Sequence, residues 1–332
     1  MARVAVIGDG GWGTALGLIL HRNGHDVRIW GPFPEGIRAI RERGENTDYL
    51  PGVPLPAGLH WTADRDEAVA GANVVVLASP TKFMRPVLES FRGRISRSAL
   101  LVSVAKGFDA ATHQRMTQVA ESVLDCGPVA ALSGPSFAGE VAEGAPTAVV
   151  VACRDHGVAV ALQNVFNNRR FRIYTSDDPT GVELGGALKN VIAVAAGVCS
   201  GIGFGHSAQA ALITRGLAEM TRLGVALGAN AVTFAGLSGM GDLVLTCTSR
   251  LSRNYSVGER LGRGEKLDTI LGGMKQVAEG IVNCGTARAL SRETGVPAPI
   301  VEEVHALVNE GKEPHEAVES LLGRDPRPER DA

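Results

Sequence analysis

Aromatic residues are scarce in this chain: among 332 residues there are three Trp, three Tyr and nine Phe. A Trp in a loop therefore stands out, and the core must be built from aliphatic side chains. An excess of either charge is also lacking. Thirty-three Lys and Arg stand against 35 Asp and Glu, with no basic run, so nothing marks a nucleic-acid footprint. The five cysteines (Cys126, Cys153, Cys199, Cys247 and Cys284) are odd in number, scattered and without CxxC spacing. That excludes a disulfide framework and a zinc ribbon and fits reduced thiols. HExxH and paired histidines at helical spacing are missing too, so no metal is expected and the eight His are read as structural. No stretch reaches the roughly 20 uncharged apolar residues of a membrane span. The most apolar helical segment, 187–199, carries Lys189 and Asn190 near its start. The opening MARVAVIG has one Arg and an apolar run of strand length rather than a signal peptide. The expectation is a cytoplasmic protein with no membrane insertion and no nucleic-acid partner.

Glycine, by contrast, is abundant at 42 residues, and the chain is too long for one ordinary core. Its first half alternates short β-branched runs with helical patterns. Strands are expected at 3–7, 26–30, 74–78, 100–104, 129–132, 147–151 and 171–174, with a helix at 12–23. Runs such as VVVLA are apolar throughout, as strands covered on both faces are. Strand alternating with helix implies a parallel sheet with right-handed crossovers. From Val182 onward the periodicity is helical, at 182–199, 206–227, 253–261, 277–293 and 299–309. The expected architecture is α/β, a mostly parallel sheet domain at 1–181 followed by an all-α domain at 182–332. The charged tail 323–332 is expected to fray.

The first candidate site is Gly8-Asp9-Gly10-Gly11-Trp12-Gly13, a GxGxxG between a strand and a helix. Gly8 permits a tight turn, Gly10 lets the backbone approach a pyrophosphate, and Gly13 lets helix and strand pack closely. The helix N-terminus adds free N–H groups and a positive dipole end. A glycine turn without ligand has the same composition; its place at the head of a βαβ unit favours a dinucleotide. Trp12 suits either a pocket wall or simple packing. The second strand ends Ile29-Trp30-Gly31-Pro32-Phe33, without the Asp or Glu that binds a ribose in NAD enzymes and without an Arg for a 2′-phosphate. Arg28 precedes that tip, and Arg38 and Arg41 lie on the next helix. The choice between NAD and NADP stays open.

Four later segments set polar groups among Gly and Ala. Lys106 in SVAKG follows a buried-looking strand, at the edge where open α/β sheets bind ligands. Ser136 in LSGPSFAGE stands where a serine can cap a helix without any ligand. Lys189 in ELGGALKN lies inside an apolar helix; buried there it shifts its pKa easily, whereas half-buried it would snorkel to solvent. Asp242 stands alone in GMGDLVL, and Ser252, Arg253 and Asn254 follow at a helix start that suits a phosphate or a capping cluster. Together these groups fit an anionic, phosphorylated small molecule with a carbonyl or hydroxyl to be protonated.

The segments VAVIGDGGWGTALG, NTDYLPG, SVAKGF, LSGPSFAGEVAEGAPTAVV, ELGGALKNVIAVAAG, GLSGMGDLVLTCTS, SRNYSVG and QVAEG closely resemble the bacterial-type NAD(P)-dependent glycerol-3-phosphate dehydrogenase family, in order and over about residues 3–290. The resemblance implies a Rossmann-type domain followed by a helical domain and the reversible reduction of dihydroxyacetone phosphate to sn-glycerol 3-phosphate. It also implies a role in glycerophospholipid synthesis and a homodimer. By it, Lys189 matches the proton donor, and Lys106, Gly134, Ser136, Asp242, Ser252, Arg253 and Asn254 match substrate positions. Gly8, Gly10 and Gly13 of the glycine motif, with Gly11, Trp12, Lys106, Ala138, Arg253, Val277 and Glu279, are the cofactor positions. Two departures stand out: Gly31-Pro32-Phe33 replaces the basic residue that members often carry after the second strand, and Gly11 stands where many have Ser. The cofactor is written NAD or NADP. Two rivals are a β-hydroxyacid dehydrogenase acting on a carboxylate substrate and a dinucleotide-binding sensor without chemistry.

Overall fold

A computed structural model describes every residue except Lys275, Gln276, Arg327, Arg330, Asp331 and Ala332. The expectation for the tail 323–332 thus falls partly outside the described residues. Eight strands form one sheet: β1 Arg3–Ile7, β2 Asp26–Trp30, β3 His60–Thr62, β4 Val74–Leu77, β5 Leu100–Ser103, β6 Ala130–Ser133, β7 Thr147–Ala152 and β8 Phe171–Ser176. Between them lie α1 Gly11–Arg22, α2 Pro34–Arg43, α3 Arg65–Val69, α4 Thr81–Phe91, α5 Met116–Leu124, α6 Ala138–Glu143 and α7 His156–Phe166. After β8 come α8 Pro179–Ile202, α9 His206–Ala226, α10 Ala231–Phe234, a π-helical turn Leu237–Gly241 and α11 Asp242–Thr248. The chain continues with α12 Arg253–Gly262, α13 Leu267–Gly272, α14 Glu279–Thr294, α15 Pro299–Asn309 and α16 Pro314–Leu322.

The strand order is β3-β2-β1-β4-β5-β6-β7-β8. The first six follow the 3-2-1-4-5-6 order of a dinucleotide-binding sheet. Val4 to Ile7 and Val74 to Leu77 are buried on both faces, which explains their unbroken apolar runs. Two features depart from the expected pattern. The edge strand β3 has only three residues, too few for a periodic signal. And β7 runs antiparallel to β6. Thirteen residues separate these two strands, and α6, at six residues, rises only about 9 Å. That cannot return the chain to the far edge for a parallel entry. β8 then pairs parallel with β7.

Helix α8 is the axis of the second half. It is long and apolar enough to cross a membrane by composition, but its apolar window is enclosed by protein on every side. The other such stretch, Ala231–Thr248, is α10, the π-helical turn and α11 rather than one helix. Glycines let α8 meet α12 backbone to backbone. A Cβ on Gly197 would lie 2.1 Å from the Tyr255 carbonyl oxygen, and one on Gly258 would lie 2.0 Å from that of Val194. Gly201 and Gly262, one turn further on each helix, are equally closed, with a Cβ 2.2 Å and 2.4 Å from carbonyl oxygens of Glu259 and Val198.

Two carboxylates, Glu183 buried and Glu279 partly buried, tie the halves together. Glu183 of α8 accepts from the backbone N–H and hydroxyl of Thr117 at 2.9 and 2.6 Å and pairs with Arg115. Glu279, opening α14, accepts from the hydroxyl and N–H of Thr81 at 2.6 and 3.2 Å and so caps α4.

Gly258→Val is expected to destabilise the fold by about 3 kcal/mol, because no side chain can retreat from a backbone contact. Gly285→Ala, where a Cβ meets nothing within 4 Å in the middle of α14, should instead stabilise by up to about 1 kcal/mol. Urea unfolding of the two variants side by side checks the pair; equal effects would refute the backbone-contact account.

Candidate active site

The glycine turn fits the pyrophosphate of a dinucleotide. Gly8 has φ +131°, and a Cβ there would strike the backbone of Ala78 and Ser79 at 2.7–2.8 Å. Gly13 lies so close to the turn that a Cβ would stand 2.2 Å from the Gly8 carbonyl oxygen. Gly10 is open, with nothing within 4 Å of its Cβ position. The first N–H groups of α1 have no acceptor within the helix and face that opening. Thr14 starts the helical ladder by donating its N–H to Gly10 at 2.9 Å.

Segment 44–53 covers this turn. The carboxamide of Asn46, buried, donates to the Asp9 carbonyl at 2.7 Å and to the Thr14 hydroxyl at 2.9 Å. The Tyr49 carbonyl oxygen would lie 2.5 Å from a Cβ on Gly11, so a serine does not fit there as the loop stands. Ala138, first residue of α6, closes the same side, 3.7 Å from that Cβ position. Trp12 packs on the core with its ring centroid 6.4 Å from that of Phe171. Its indole N–H is buried without a partner among the described residues, an unspent donor beside the turn.

The polar groups of the later segments converge at the carboxyl ends of β5 and β6. Asp242, 1% exposed, sets one carboxylate oxygen 2.5 Å from the Lys189 ammonium and the other 2.6 Å from that of Lys106. Lys189 also donates to the Thr246 hydroxyl at 2.7 Å, and that hydroxyl donates to the Asp242 carbonyl at 2.6 Å. Lys106 donates to the Gly134 carbonyl at 2.9 Å. The lysines sit on different elements and a fixed backbone holds each. Gly134 has φ +147° and a Cβ there would press on Val149, while the carboxamides of Asn190 and Asn283 donate to the Lys106 carbonyl.

Burial pushes the Lys189 ammonium down to about 8; the Asp242 carboxylate opposes that and the neighbouring Lys106 charge adds to it. Snorkelling is thereby excluded: Lys189 is 5% exposed. An ammonium carries three donors. Among the described contacts Lys189 uses two and Lys106 uses two, leaving one N–H on each for a ligand.

The other expected positions divide. Ser136 does not cap α6, whose N-cap is Phe137; its hydroxyl donates to the Gly134 carbonyl at 3.0 Å, beside the Lys106 contact. Ser252 is the N-cap of α12 and accepts from the Tyr255 N–H at 3.2 Å. Asn254 is buried and engaged on both atoms, donating to Asn190 at 2.9 Å and accepting from the Gly280 N–H at 2.9 Å. Arg253 opens α12; desolvation lowers the pKa of its guanidinium, and the Glu279 charge opposes that. Burial raises the Glu279 carboxyl above its usual range, against its bonds to Thr81. Val277 lies in the segment before α14.

Four groups near the site escaped the sequence. Thr246 is one helical turn after Asp242, a spacing that can be found once Asp242 is suspected. Ser103 and Ser133, at the ends of β5 and β6, have buried hydroxyls with no partner among the described residues, and a Cβ on Gly186 would come 2.8 Å from that of Ser133. Asp9 sets its carboxylate against Gly31, at the tip of β2.

A sheet in this order, a GxGxxG turn and a buried lysine–carboxylate pair beside it define a dinucleotide-dependent dehydrogenase of the Rossmann type. The family model for the N-terminus of NAD-dependent glycerol-3-phosphate dehydrogenase matches residues 3–159, and that for its C-terminus matches residues 178–319. A glycerol-3-phosphate dehydrogenase [NAD(P)+] of Geobacter metallireducens is 49% identical over 331 residues, 99% of each chain. One of Geobacillus kaustophilus is 48% identical over all of this chain and 97% of its own. The crystal structure of glycerol-3-phosphate dehydrogenase from Coxiella burnetii superposes with TM-score 0.94 at 36% identity, covering 97% of this chain and 99% of that one. The chain belongs to the NAD-dependent glycerol-3-phosphate dehydrogenase family.

The two neighbours of Lys189 act on it in opposite directions, which a titration of 13Cε-labelled lysine by NMR resolves. Asp242→Asn is expected to move the Lys189 midpoint below its value of about 8, and Lys106→Met to move it above. Midpoints that stay together in all three proteins would contradict the assigned causes.

Proposed function

We infer that this protein reduces dihydroxyacetone phosphate to sn-glycerol 3-phosphate with NADH or NADPH, and runs the reverse oxidation. The observation that carries this is the Lys106–Asp242–Lys189 chain, where two ammonium groups share one carboxylate at the sheet edge below the glycine turn. Two cations against one anion leave a surplus positive charge in a largely buried place, which suits a phosphorylated substrate.

Residues 1–181 form the cofactor-binding unit, and residues 182–332 supply the proton-transfer and substrate groups. Gly8, Gly10, Gly11, Trp12 and Gly13, with Ala138, cradle the dinucleotide; Lys106, Arg253, Val277 and Glu279 line its far end. When bound, the reduced dinucleotide supplies the hydride that the ketone carbon takes up. Lys189 directs its third N–H at the ketone oxygen and gives it the proton as charge develops there. Asp242 holds Lys189 in place and keeps it charged, and Thr246 fixes the remaining donor direction. Lys106 keeps the substrate's oxygens in register through its own spare N–H. Arg253 and Asn254, with Ser136, Ser252 and the Gly134 turn, hold the phosphate; since both atoms of the Asn254 carboxamide are engaged, its share is one remaining N–H. In the oxidation, neutral Lys189 takes the hydroxyl proton.

We extend the reading to a cytoplasmic homodimer without membrane insertion that feeds glycerophospholipid synthesis. Exposed Val232, Met240 and Val244, on consecutive elements, support a partner surface. Light scattering at micromolar concentration tests the dimer.

Side-by-side oxidation of NADH and NADPH with dihydroxyacetone phosphate tests the reaction; turnover of a hydroxyacid instead would replace it with a β-hydroxyacid reading. Cofactor binding without any turnover would replace it with a sensor. Lys189→Ala should lower kcat by about 10² to 10⁴ while the protein stays folded. Because the ammonium is the acid, kcat for reduction should fall as pH rises through about 8, and kcat for oxidation should rise over the same interval. Near-full turnover of Lys189→Ala at saturating substrate would remove Lys189 from the reaction.

A further inference from the structure

The tip of β2 is where an open α/β sheet recognises the adenosine ribose, through an acidic residue that accepts from its hydroxyls. In this chain that position holds Gly31, followed by Pro32 and Phe33. The space of the missing side chain is not empty. A Cβ on Gly31 would lie 2.3 Å from Asp9 Oδ2 and 2.6 Å from its Cγ. A carboxylate therefore does stand at the β2 tip, but it comes from the second residue of the glycine turn.

Asp9 is held there by its backbone. The Asn46 carboxamide donates to its carbonyl at 2.7 Å, with the Thr14 hydroxyl at 3.3 Å, and the Gly8 N–H ties the turn to the Trp30 carbonyl at 2.9 Å. The carboxylate itself is poorly served. Among the described residues no side chain donates to it; its one hydrogen bond is to its own amide, and burial raises its pKa. Three of the nearby cations are engaged elsewhere, and Arg38 is exposed on α2. Arg28 donates to the Glu67 carbonyl, Arg41 to the Trp61 carbonyl and Arg43 to the Thr47 hydroxyl. A half-buried acceptor with no side-chain donor, beside a pyrophosphate turn, is complementary to a vicinal diol and repels a phosphate.

We propose that Asp9 selects the cofactor: its carboxylate accepts from the adenosine ribose hydroxyls and excludes a 2′-phosphate, so that the protein prefers NADH to NADPH. The proposal rests on the dehydrogenase reading above and adds the specificity that the strand tip alone leaves open. Gly31 is then a requirement, since any side chain there displaces the carboxylate.

Dissociation constants for NADH and NADPH, measured by cofactor fluorescence without substrate, test it on the full-length protein. The wild type is expected to bind NADH at least tenfold more tightly. Asp9→Asn and Asp9→Ser should weaken NADH and strengthen or spare NADPH, lowering the ratio of affinities by about tenfold to a hundredfold. Using both variants guards against one that misfolds, since Asn46 grips the backbone and not the side chain. The proposal is overturned if the wild type binds NADPH as tightly as NADH, if both cofactors weaken equally in the variants, or if neither binds. Clear selectivity without turnover of dihydroxyacetone phosphate would uphold Asp9 and defeat the reaction instead.

Discussion

The site depends on one carboxylate shared by a buried cation and a partly buried one. Asp242 is almost wholly out of water, as is Lys189, and Lys106 is partly buried. Desolvation of each group is costly, and removing one partner from such a set leaves an uncompensated charge worth about 3–5 kcal/mol. The arrangement therefore requires that β5, β6, α8 and α11 meet within tenths of an ångström, because each supplies one of the charges or a carbonyl. Much of the remaining structure secures that meeting. The glycine crossing of α8 on α12 brings the start of α12 to the site, and the carboxylates Glu183 and Glu279 lock α8 and α14 to α5 and α4 of the first half.

The same constraint explains why burial of Lys189 serves chemistry. An isolated buried lysine would lose its proton, and a fully neutralised one would hold it too firmly. With one carboxylate for two ammonium groups, Lys189 stands near 8, where it gives and takes a proton with little driving force wasted. Its remaining donor direction is fixed because Thr246 and Asp242 occupy the other two.

What the residues revealed on their own follows from the range of the interactions. The apolar runs of the buried strands, the glycine turn and the break near residue 180 are local patterns, so the seven longer strands and the helical second half were legible. Lys189 and Asp242 were legible as misfits, charges in apolar surroundings, although only the fold shows that they touch. The antiparallel β7 was not legible, since direction depends on how far a short helix can carry the chain. Nor was the position of Asp9, which fills a gap left by a residue 22 places away. Ser136 misled, because a serine before a helix has the same local appearance whether it caps or not. The α8–α12 glycines were submerged in a chain rich in glycine, where the few that permit backbone contact look like the many that do not.

The reversal at β7 has a consequence for where the lysine arrives. Had β7 run parallel to β6, the chain would have left the sheet at its ligand-facing edge, and α8 would have carried its side chains away from the cofactor. Because β7 and β8 run the other way, α8 departs from the opposite edge, with Val182 packed on Ala131 and Ala152. It climbs past β6, and its Gly186 passes beside Ser133. Ten residues of helix raise the chain about 15 Å, comparable to the depth of the sheet. Lys189 is thus delivered level with the strand ends by helix length alone, and a deletion of a single residue between Pro179 and Lys189 would turn it about 100° away from Asp242.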